Sequence, residues 1–354
     1  MLVSRPNQEL LTCDVIDPRA DSRWDALIQG HPDATVFHTA AWARVLCQTY
    51  GHRPNYLRVK RGDQLVALIP LMEVSSPITG RRGVGLPFTD VCCPLLFADI
   101  EADLFWNAIR AEARMRKWKY IEMRGSGFGK ETKGPNNAIL VHALDLRGTQ
   151  SEISDRFAGS VRTAIRKAER NEVTVRVSVD KESALEYYRL HALTRRRHGL
   201  PPQSFAFFER IRSELMVKGR GFTVIASRKG RAIAGAVFLH FNGGAVYKFG
   251  ASDEAGRMYC ANNLALWEGI KCLKEMGMAS LHFGRSEANH ESLLRFKRAW
   301  GASEVPIDYV KINPITGSSI TRKDLTSGLH TQVFRRLPLS INRFLGKLLY
   351  SHLD

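Results

Sequence analysis

The chain has 354 residues, of which 44% are hydrophobic and 25% charged, and this composition is ordinary for a globular protein. It excludes wholesale disorder, a collagen-like repeat and a small scaffold held together by disulfides. At roughly 150 residues per domain, the length predicts two domains. The formal net charge is +17; residues 151–354 hold 33 basic and 19 acidic side chains, whereas residues 1–150 hold 19 and 16. The positive charge therefore belongs mainly to the second half.

The sequence predicts a protein of the reducing cytoplasm. Its first residues lack the continuous apolar region of a secretory signal, and no segment approaches the roughly 20 apolar residues that span a bilayer. Six cysteines are few for this length, none forms a C-x-x-C pair, and the neighbours Cys92 and Cys93 are badly placed for a mutual disulfide. The histidines are scattered, so we expect free thiols and no bound metal.

The first half predicts helices and strands in alternation. Apolar residues recur at helical spacing over 38–50, and strands at 55–60 and 65–74 are expected to form a hairpin. The stretch 75–94 is rich in glycine and proline and is interpreted as irregular. The other predicted elements are a helix at 101–117, a strand at 119–124, a glycine-rich loop at 125–137 and a strand at 138–146.

The second half predicts a longer series of elements, with two turns that fix hairpins. Arg228-Lys229-Gly230-Arg231 and Asn242-Gly243-Gly244 are typical of tight turns between antiparallel strands. They predict three consecutive paired strands. The predicted helices lie at 151–171, 181–198, 204–218, 258–276 and 290–300, and the predicted strands at 173–178, 221–227, 232–241, 245–252, 279–285 and 304–312.

The two halves repeat one order of elements. In each half a helix feeds a short strand that ends in a small basic motif, Met123-Arg124-Gly125-Ser126 in the first and Phe283-Gly284-Arg285-Ser286 in the second. This internal similarity predicts tandem copies of one α/β unit. We expect domains at 1–150 and 151–315, followed by a basic amphipathic tail at 316–354.

An arginine series marks the start of the second half. Arg162, Arg166 and Arg170 are spaced by four on one predicted helix. Like charges at this spacing destabilise a helix by about 0.2–0.5 kcal/mol per pair, and an anionic partner would remove that cost. Arg162 and Arg166 are therefore candidate substrate-binding residues. A solvated face, partly neutralised by Glu169 and Glu172, explains the pattern equally well.

The segment 245–301 carries the most information about function. A strand bearing Tyr247 leads through a polar loop, Asp253 to Asn263, into a long helix. Backbone N–H groups at a helix start can hold a phosphate or carboxylate, which makes Asn262 and Asn263 candidate substrate-binding residues. Tyr247 is a candidate hydrogen-bond donor to a leaving group, although a half-buried structural tyrosine is the commoner case.

The end of this segment supplies three further candidates, two on a strand and one on the following helix. The strand at 279–285 delivers Arg285 and Ser286 to its carboxyl end, the edge at which α/β sheets usually bind ligands. On the following helix, Phe296 and Trp300 are one turn apart and are expected to be buried. They would fix the rotation of the helix and hold Lys297 at its flank.

These motifs resemble a known family. Phe283-Gly284-Arg285-Ser286, followed by Phe296-Lys297-x-x-Trp300-Gly301, is similar to the closing signature of FemAB-like proteins, which are GNAT-type acyltransferases. The segments 36–71, 161–175 and 247–270 agree with it, so the resemblance covers roughly residues 35–312. The tail at 335–349 resembles that of FemAB-related proteins found with PEP-CTERM and exopolysaccharide systems. The chain lacks a segment long enough for the helical arm of some peptidoglycan-bridge enzymes.

The resemblance implies an α/β fold of two tandem GNAT-like domains, with mixed, mostly antiparallel central sheets flanked by helices. It implies acyl or aminoacyl transfer to an amine acceptor in cell-envelope or exopolysaccharide biosynthesis. The donor would be an acyl thioester of coenzyme A or a carrier protein, or an aminoacyl-tRNA, and no metal would be needed. The usual GNAT pyrophosphate signature is missing, because the segment Asp253 to Asn263 in its place lacks the glycine spacing.

Candidate roles follow from what transfer to an amine requires. Lys297 and Arg285 would bind phosphates or stabilise developing negative charge. Asp90 is the candidate carboxylate that orients the acceptor, and a plain turn residue is an equal alternative. The sequence thus nominates Lys297, Asp90 and Tyr247 as catalytic residues.

Two alternatives concern the charge and the tail. The basic second half could be a docking surface for tRNA or another nucleic acid without any chemistry, although no nucleic-acid motif accompanies it. The tail from Val333 to Leu353 mixes arginine and lysine with large apolar residues. It predicts either a peripheral contact with the inner face of the cell membrane or docking against the protein's own body.

Overall fold

The computed structural model describes residues 11–125, 139–320 and 329–353. The predicted glycine-rich loop lies outside these residues, apart from its first position. Within the described ranges the strands are β1 (Leu11–Ile16), β2 (Arg53–Pro54), β3 (Tyr56–Arg61), β4 (Gln64–Ile69), β5 (Met72–Ser76), β6 (Gly80–Val84), β7 (Leu95–Leu96), β8 (Ile121–Gly125), β9 (Ile139–Asp145), β10 (Thr174–Ser178), β11 (Gly221–Arg228), β12 (Arg231–Phe241), β13 (Gly244–Ser252), β14 (Ser280–Glu287) and β15 (Ser303–Ile312).

Helices cover the faces of the sheets and end the chain. None of those in the described residues is long and apolar enough to cross a membrane. The α-helices are α1 (Trp24–Ile28), α2 (Ala40–Tyr50), α3 (Ala102–Met115), α4 (Gln150–Asp155), α5 (Gly159–Arg170), α6 (Lys181–Arg197), α7 (Phe205–Ile211), α8 (Glu254–Met258), α9 (Ala261–Glu275), α10 (Glu291–Ala299), α11 (Leu329–Arg336) and α12 (Leu339–Leu349).

One large sheet runs through both halves of the chain. Its order in the described residues is β10-β11-β12-β13-β14-β9-β15-β8-β6-β5-β2, and a smaller sheet has the order β1-β3-β4-β7. In the large sheet β13 and β14 are parallel, as are β6 and β8, and the other neighbours are antiparallel. The predicted α/β fold with mixed, mostly antiparallel sheets is confirmed.

The halves repeat one plan and exchange a strand. In the first half α3 lies between the parallel strands β6 and β8 along the chain, and in the second half α9 lies between β13 and β14. The next neighbour of β8 is β15, from the end of the second half. The next neighbour of β14 is β9, from the first half, and β9 also pairs with β15. The tandem arrangement therefore forms one continuous sheet.

Hydrophobic packing also joins the halves. Trp42 of α2 is fully buried and meets Phe207 of α7 edge to face, with 6.0 Å between ring centroids. Both belong to a core cluster that also contains residues of β12 and β13. A second cluster lies between the sheet and helices α5 and α9 of the second half, and a third between α3 and the strands of the first half. Burial of large aromatic surfaces at this junction favours a fixed arrangement of the halves.

Two sequence predictions in the first half were wrong. The expected strand at 65–74 is two strands in different sheets, because Pro70 between them has no N–H to continue a ladder. The stretch 75–94 is not wholly irregular, since β6 pairs there with β5. Its Gly83 packs against Trp118, where a Cβ would lie 2.0 Å from the ring. The glycine that suggested a loop is needed for close packing in a strand.

Two predicted helices are interrupted. The helix expected at 258–276 begins earlier as α8 and breaks at Cys260, whose φ of +56° is left-handed, before α9 begins. The helix expected at 151–171 is divided into α4 and α5. Both predicted turns of the second half are confirmed, because Lys229-Gly230 and Asn242-Gly243 have positive φ and connect paired strands.

The packing of α9 on β12 gives a test of this core. A Cβ at Gly269 would lie 2.2 Å from the ring of Phe238, whereas Gly159 at the start of α5 has nothing within 4 Å. We expect Gly269→Ala to lower the free energy of unfolding by about 1–3 kcal/mol, because overpacking outweighs the better helix propensity of alanine. Gly159→Ala is the matched control and should leave stability unchanged or raise it by up to about 1 kcal/mol. Chemical denaturation measures both, and equal effects would contradict the packing.

Candidate functional site

The parallel strands β13 and β14 separate in the middle of the large sheet. They pair at three residue positions, of which the last is Val246 opposite His282, and show no further pairing in the described residues. On β13 a bulge leaves Lys248 without an opposite residue on β12. On β14 the chain bends at Gly284, whose φ is +71°. Beyond this point, backbone N–H and C=O groups on the edges of β13 and β14 that face the gap have no strand partner among the described residues.

The loop 86–90 approaches this separation from the first half. Leu86 is left-handed, with φ +51°, and Thr89 donates its hydroxyl to the Leu86 carbonyl at 2.6 Å. At the end of β8, Arg124 Nη1 donates to the carbonyls of Leu86 and Thr89 at 3.3 and 3.2 Å. Arg124 is itself paired with Glu122 at 2.8 Å, and both side chains are buried. This network fixes the path of the loop.

Asp90 ends the loop beside the bend of β14. Tyr309 of β15 donates its hydroxyl to the Asp90 carbonyl. Lys248 Nζ lies 3.1 Å from Asp90 Oδ2, and the two side chains are 6% and 21% exposed. A Cβ on Gly284 would lie 3.3 Å from the Asp90 carboxyl carbon. A buried ion pair thus joins a loop of the first half to a strand of the second.

Two further cations lie on the β14 side. Lys297 of α10 is only 3% exposed and donates its ammonium to the carbonyls of Gly284 and Arg285, at 2.7 and 2.9 Å. These bonds hold the bend of β14 in place. The Arg285 guanidinium lies over the Tyr309 ring, 5.0 Å from its centroid. The structure therefore brings Asp90, Arg285 and Lys297, three residues chosen from the sequence, into one cluster.

Burial and neighbouring charges set the protonation of the cluster. Burial alone would raise the pKa of Asp90, but the charges of Lys248, His282 and Arg285 outweigh it and lower that pKa to about 2. Burial lowers the pKa of Lys297 to about 8, with Asp90 opposing the shift and Arg285 adding to it. Burial also lowers the pKa of His282 to about 4. At neutral pH one ionised carboxylate therefore faces an excess of positive charge and a neutral imidazole.

Unused hydrogen-bonding atoms surround the same bend. His282 Nδ1 accepts the N–H of Gly284 at 2.9 Å, so the neutral ring carries its proton on Nε2. That nitrogen, Arg285 Nη1 and Ser286 Oγ are buried and have no hydrogen-bond partner among the described residues. Buried polar atoms are nearly always satisfied, so these donors are positioned for a substrate or water.

Tyr247 lies apart from the charged cluster. Its ring packs against Phe238 and Phe283, with centroids 5.5 and 6.1 Å away, and it belongs to the core between the sheet and α9. Burial raises the pKa of its hydroxyl to about 12. None of its described contacts reaches Asp90 or Lys248, so the position favours the structural interpretation of this residue.

The start of α9 uses its polar groups internally. Asn262 donates its amide to Ser252 Oγ at 3.0 Å, and the N–H of Asn263 donates to the Cys260 carbonyl at 3.0 Å. Asp253 accepts the N–H of Gly256 at 3.0 Å. The segment that replaces the GNAT pyrophosphate signature thus forms short helical turns, in which these N–H groups already have partners.

The arginine series on α5 is not drawn into the cluster by any described contact. Arg162 Nη1 donates to the carbonyls of Asp155 and Phe157, at 3.2 and 2.9 Å, and so caps the end of α4. Arg166 is exposed beside Glu169 and Arg170 on the outer face of the helix. Of the two, only Arg166 presents a free surface for an anion.

Sequence reasoning missed Lys248 and His282. Lys248 is a single charge in an otherwise apolar strand, AVYKFGAS, and that isolation was the available signal. Its partner Asp90 is 158 positions away, so the pairing follows only from the fold. His282 and Tyr309 gave no signal, because each resembles an ordinary residue of an alternating strand.

The ion pair can be tested by its effect on stability. Lys248→Met leaves the buried Asp90 carboxylate with less compensation, so we expect the free energy of unfolding at pH 7 to fall by about 1–3 kcal/mol. The double variant Lys248→Met/Asp90→Asn should regain part of that loss. Lys271→Met is the control, because its pair with Glu268 is nearly one-third exposed and contributes at most about 1 kcal/mol. Equal losses in the two single variants, measured by denaturation, would contradict the pairing.

Comparison with known proteins agrees with this architecture. Residues 155–298 match the family model described as an acetyltransferase (GNAT) domain. The crystal structure of FemX has a TM-score of 0.64 at 14% identity, over 84% of this chain and 95% of that one. A tandem GNAT protein from the clavulanic acid biosynthesis pathway has a TM-score of 0.54 at 12% identity, over 85% and 97%.

A third structure extends the similarity. The C-terminal domain of a protein described as a lysylphosphatidylglycerol synthetase, from Agrobacterium fabrum, has a TM-score of 0.50 at 15% identity, over 76% of this chain and 86% of that one. No curated protein matches the sequence significantly. At these identities the structures show the fold, and the family model shows the domain. Residues 155–298 therefore match a GNAT acetyltransferase domain, within a fold that this chain shares with FemX and with a tandem GNAT protein.

Proposed function

We propose that the protein transfers an acyl or aminoacyl group to the amine of a phosphate-bearing acceptor, with the cluster of Asp90, Lys248, His282, Arg285 and Lys297 as its reaction centre. The observation that carries the proposal is the pair of buried, unused donors, Arg285 Nη1 and His282 Nε2, beside an ionised carboxylate. In the transfer the amine nitrogen bonds to the acyl carbon, the C–S or C–O bond to the donor breaks, and the proton lost by the nitrogen ends on the departing sulfur or oxygen.

The reaction needs an oriented amine, a stabilised negative oxygen and alignment of the two reactants. The cluster fits these three needs. Asp90 stays ionised and is too weak a base to take the proton, but it can accept a hydrogen bond that orients the amine. Arg285 and His282 can donate to the oxygen that becomes negative in the tetrahedral intermediate, and such donors typically contribute 10²–10³-fold to the rate. Alignment of the two reactants can lower the barrier by about 7–11 kcal/mol in well-oriented systems.

Lys297 has a positioning part in this proposal. Its two hydrogen bonds fix the bend at Gly284, which presents Arg285, and its charge adds to the positive potential of the cluster. The donor would be a thioester of coenzyme A or a carrier protein, or an aminoacyl-tRNA. An extended donor arm could bind along the separated edges of β13 and β14, as a peptide adds to a sheet edge.

The acceptor is proposed to belong to cell-envelope or exopolysaccharide biosynthesis at the cytoplasmic side of the membrane. The resemblance of the tail supports this, as does the fold shared with FemX and with a domain of a lysylphosphatidylglycerol synthetase. The positive charge of the second half supports a phosphate-bearing substrate. A basic module that only binds tRNA, nucleic acid or an anionic membrane surface remains the alternative, and it predicts no acyl transfer with any donor.

The first test is acyl transfer by the full chain. It is incubated with acyl-coenzyme A or aminoacyl-tRNA and a panel of phosphate-bearing amines, and thiol release or tRNA deacylation is measured. We expect Arg285→Lys and Asp90→Asn to lower the rate by about a hundredfold, because Lys cannot reproduce the guanidinium and Asn carries no charge.

Lys297→Ala should lower the same rate by about a hundredfold, because it releases the bend that presents Arg285. Arg298→Ala on the same helix is the control, since its side chain is 47% exposed, and it should retain activity. If wild type transfers the acyl group and all four variants keep its rate, the reaction centre lies elsewhere. No transfer with any donor would favour the binding module.

The second test uses the depressed pKa of Lys297. Its ammonium is present below about pH 8 and is lost as pH rises through about 8, whereas arginine at this position stays charged. We therefore expect the ratio of kcat/KM for wild type over Lys297→Arg to fall as pH rises from about 7 to about 9.5. The ratio cancels the titration of the acceptor amine. A ratio that stays constant, or rises, would show that the ammonium charge is not what Lys297 contributes.

A further inference from the structure

We propose that the carboxyl-terminal helices, α11 and α12, bind the surface of an anionic phospholipid bilayer through the outward face of α12. The sequence left two possibilities for this tail, docking on the body or contact with a membrane. In the structure one side of α12 is docked on the body, and its opposite side faces outward. This inference goes beyond the proposed function and does not rest on it.

The inner face of α12 is docked on the body of the protein. Gly346 lies so close to Pro202 that a Cβ would be 1.9 Å from its carbonyl oxygen. Just after α12, Tyr350 is 6% exposed, donates its hydroxyl to the Pro201 carbonyl at 3.2 Å and accepts from Arg195 at 2.7 Å. These contacts fix which side of the helix faces outward.

The opposite side of α12 is apolar. Ile341, Phe344 and Leu348 are 44%, 61% and 50% exposed. At 100° per residue they share one sector of the helix, on the side away from Gly346 and Tyr350. The outward stripe of a docked surface helix is normally polar, so an apolar stripe there indicates a contact that completes it.

The charges of the two helices favour anionic lipid as the occupant. Arg335, Arg336 and Lys347 are exposed, and residues 329–349 contain no aspartate or glutamate. Basic groups beside large apolar side chains match phospholipid headgroups above an acyl layer. RNA would leave the apolar stripe unexplained. A symmetric second copy would bring the same positive charges face to face.

The residues just after α12 touch the loop that carries Asp90. Tyr350 packs against Phe88, with 5.8 Å between ring centroids, and Arg82 donates to the His352 carbonyl at 2.7 Å. Phe88 is two residues before Asp90 in the loop 86–90. Bilayer binding through α12 would therefore place the membrane surface on an element that contacts the acceptor side of the cluster.

Co-sedimentation of the full chain with vesicles tests the inference. We expect wild type to bind vesicles that contain phosphatidylglycerol and to bind phosphatidylcholine vesicles much less. Phe344→Glu/Leu348→Glu should lower the partition coefficient by about tenfold or more, because it removes two apolar contacts and adds negative charge. Ile315→Glu is the control, since Ile315 is 79% exposed and lies outside α11 and α12, and it should bind as wild type does.

Four results would overturn the inference. The first is a wild-type chain that does not bind anionic vesicles, and the second is equal binding by the double variant with an unchanged melting temperature. The third is that wild type forms a dimer and binds no vesicles, while the double variant is monomeric. That result would assign the stripe to a second copy. RNA binding lost in the double variant, again without vesicle binding, would assign the surface to nucleic acid.

Discussion

The pairing of Lys248 with Asp90 is the interaction on which the rest of the site depends. A buried charge is costly unless another charge and hydrogen bonds compensate it, so each partner restricts where the other can lie. Asp90 is carried by a loop of the first half and Lys248 by a bulged strand of the second. The network of Arg124 and Tyr309 then serves to hold the loop where the pair can form. The charge balance, more than any single side chain, explains why the tandem halves share one charged cluster.

The separation of β13 and β14 has a local cause on each strand. On β13 an extra residue interrupts the ladder with β12, and on β14 a left-handed glycine turns the chain. Lys297 holds that glycine through its carbonyl and thereby controls where Arg285 and His282 present their unused N–H groups. The bend places a gap in the sheet, a fixed set of donors and one ionised carboxylate at the same point. Directed donors of this kind stabilise a developing negative charge without needing to reorganise.

The carboxyl-terminal helix α12 packs against the body on one side and exposes an apolar stripe on the other. The glycine at 346 allows close contact with the body, and the apolar stripe on the far side faces solvent. Because Tyr350 contacts Phe88, the tail packs against the loop that carries Asp90. The tail therefore connects the periphery of the molecule to the charged cluster through direct packing.

The sequence by itself determined much of the local structure and the positions of several charged side chains. Hairpin turns, helical periodicity and the motifs around Arg285 and Lys297 depend on residues close in the chain, so they could be predicted, as could the α/β tandem fold. Only the tertiary structure decided the partner of Asp90, the exchange of β9 and β15 between the halves, and the side to which Tyr247 points. The tertiary structure also explains why residues 80–84 form the strand β6. Gly83 leaves room for the Trp118 ring and does not form a turn. These outcomes depend on register, bulges and contacts between residues more than a hundred positions apart, and hydrophobic pattern does not specify those.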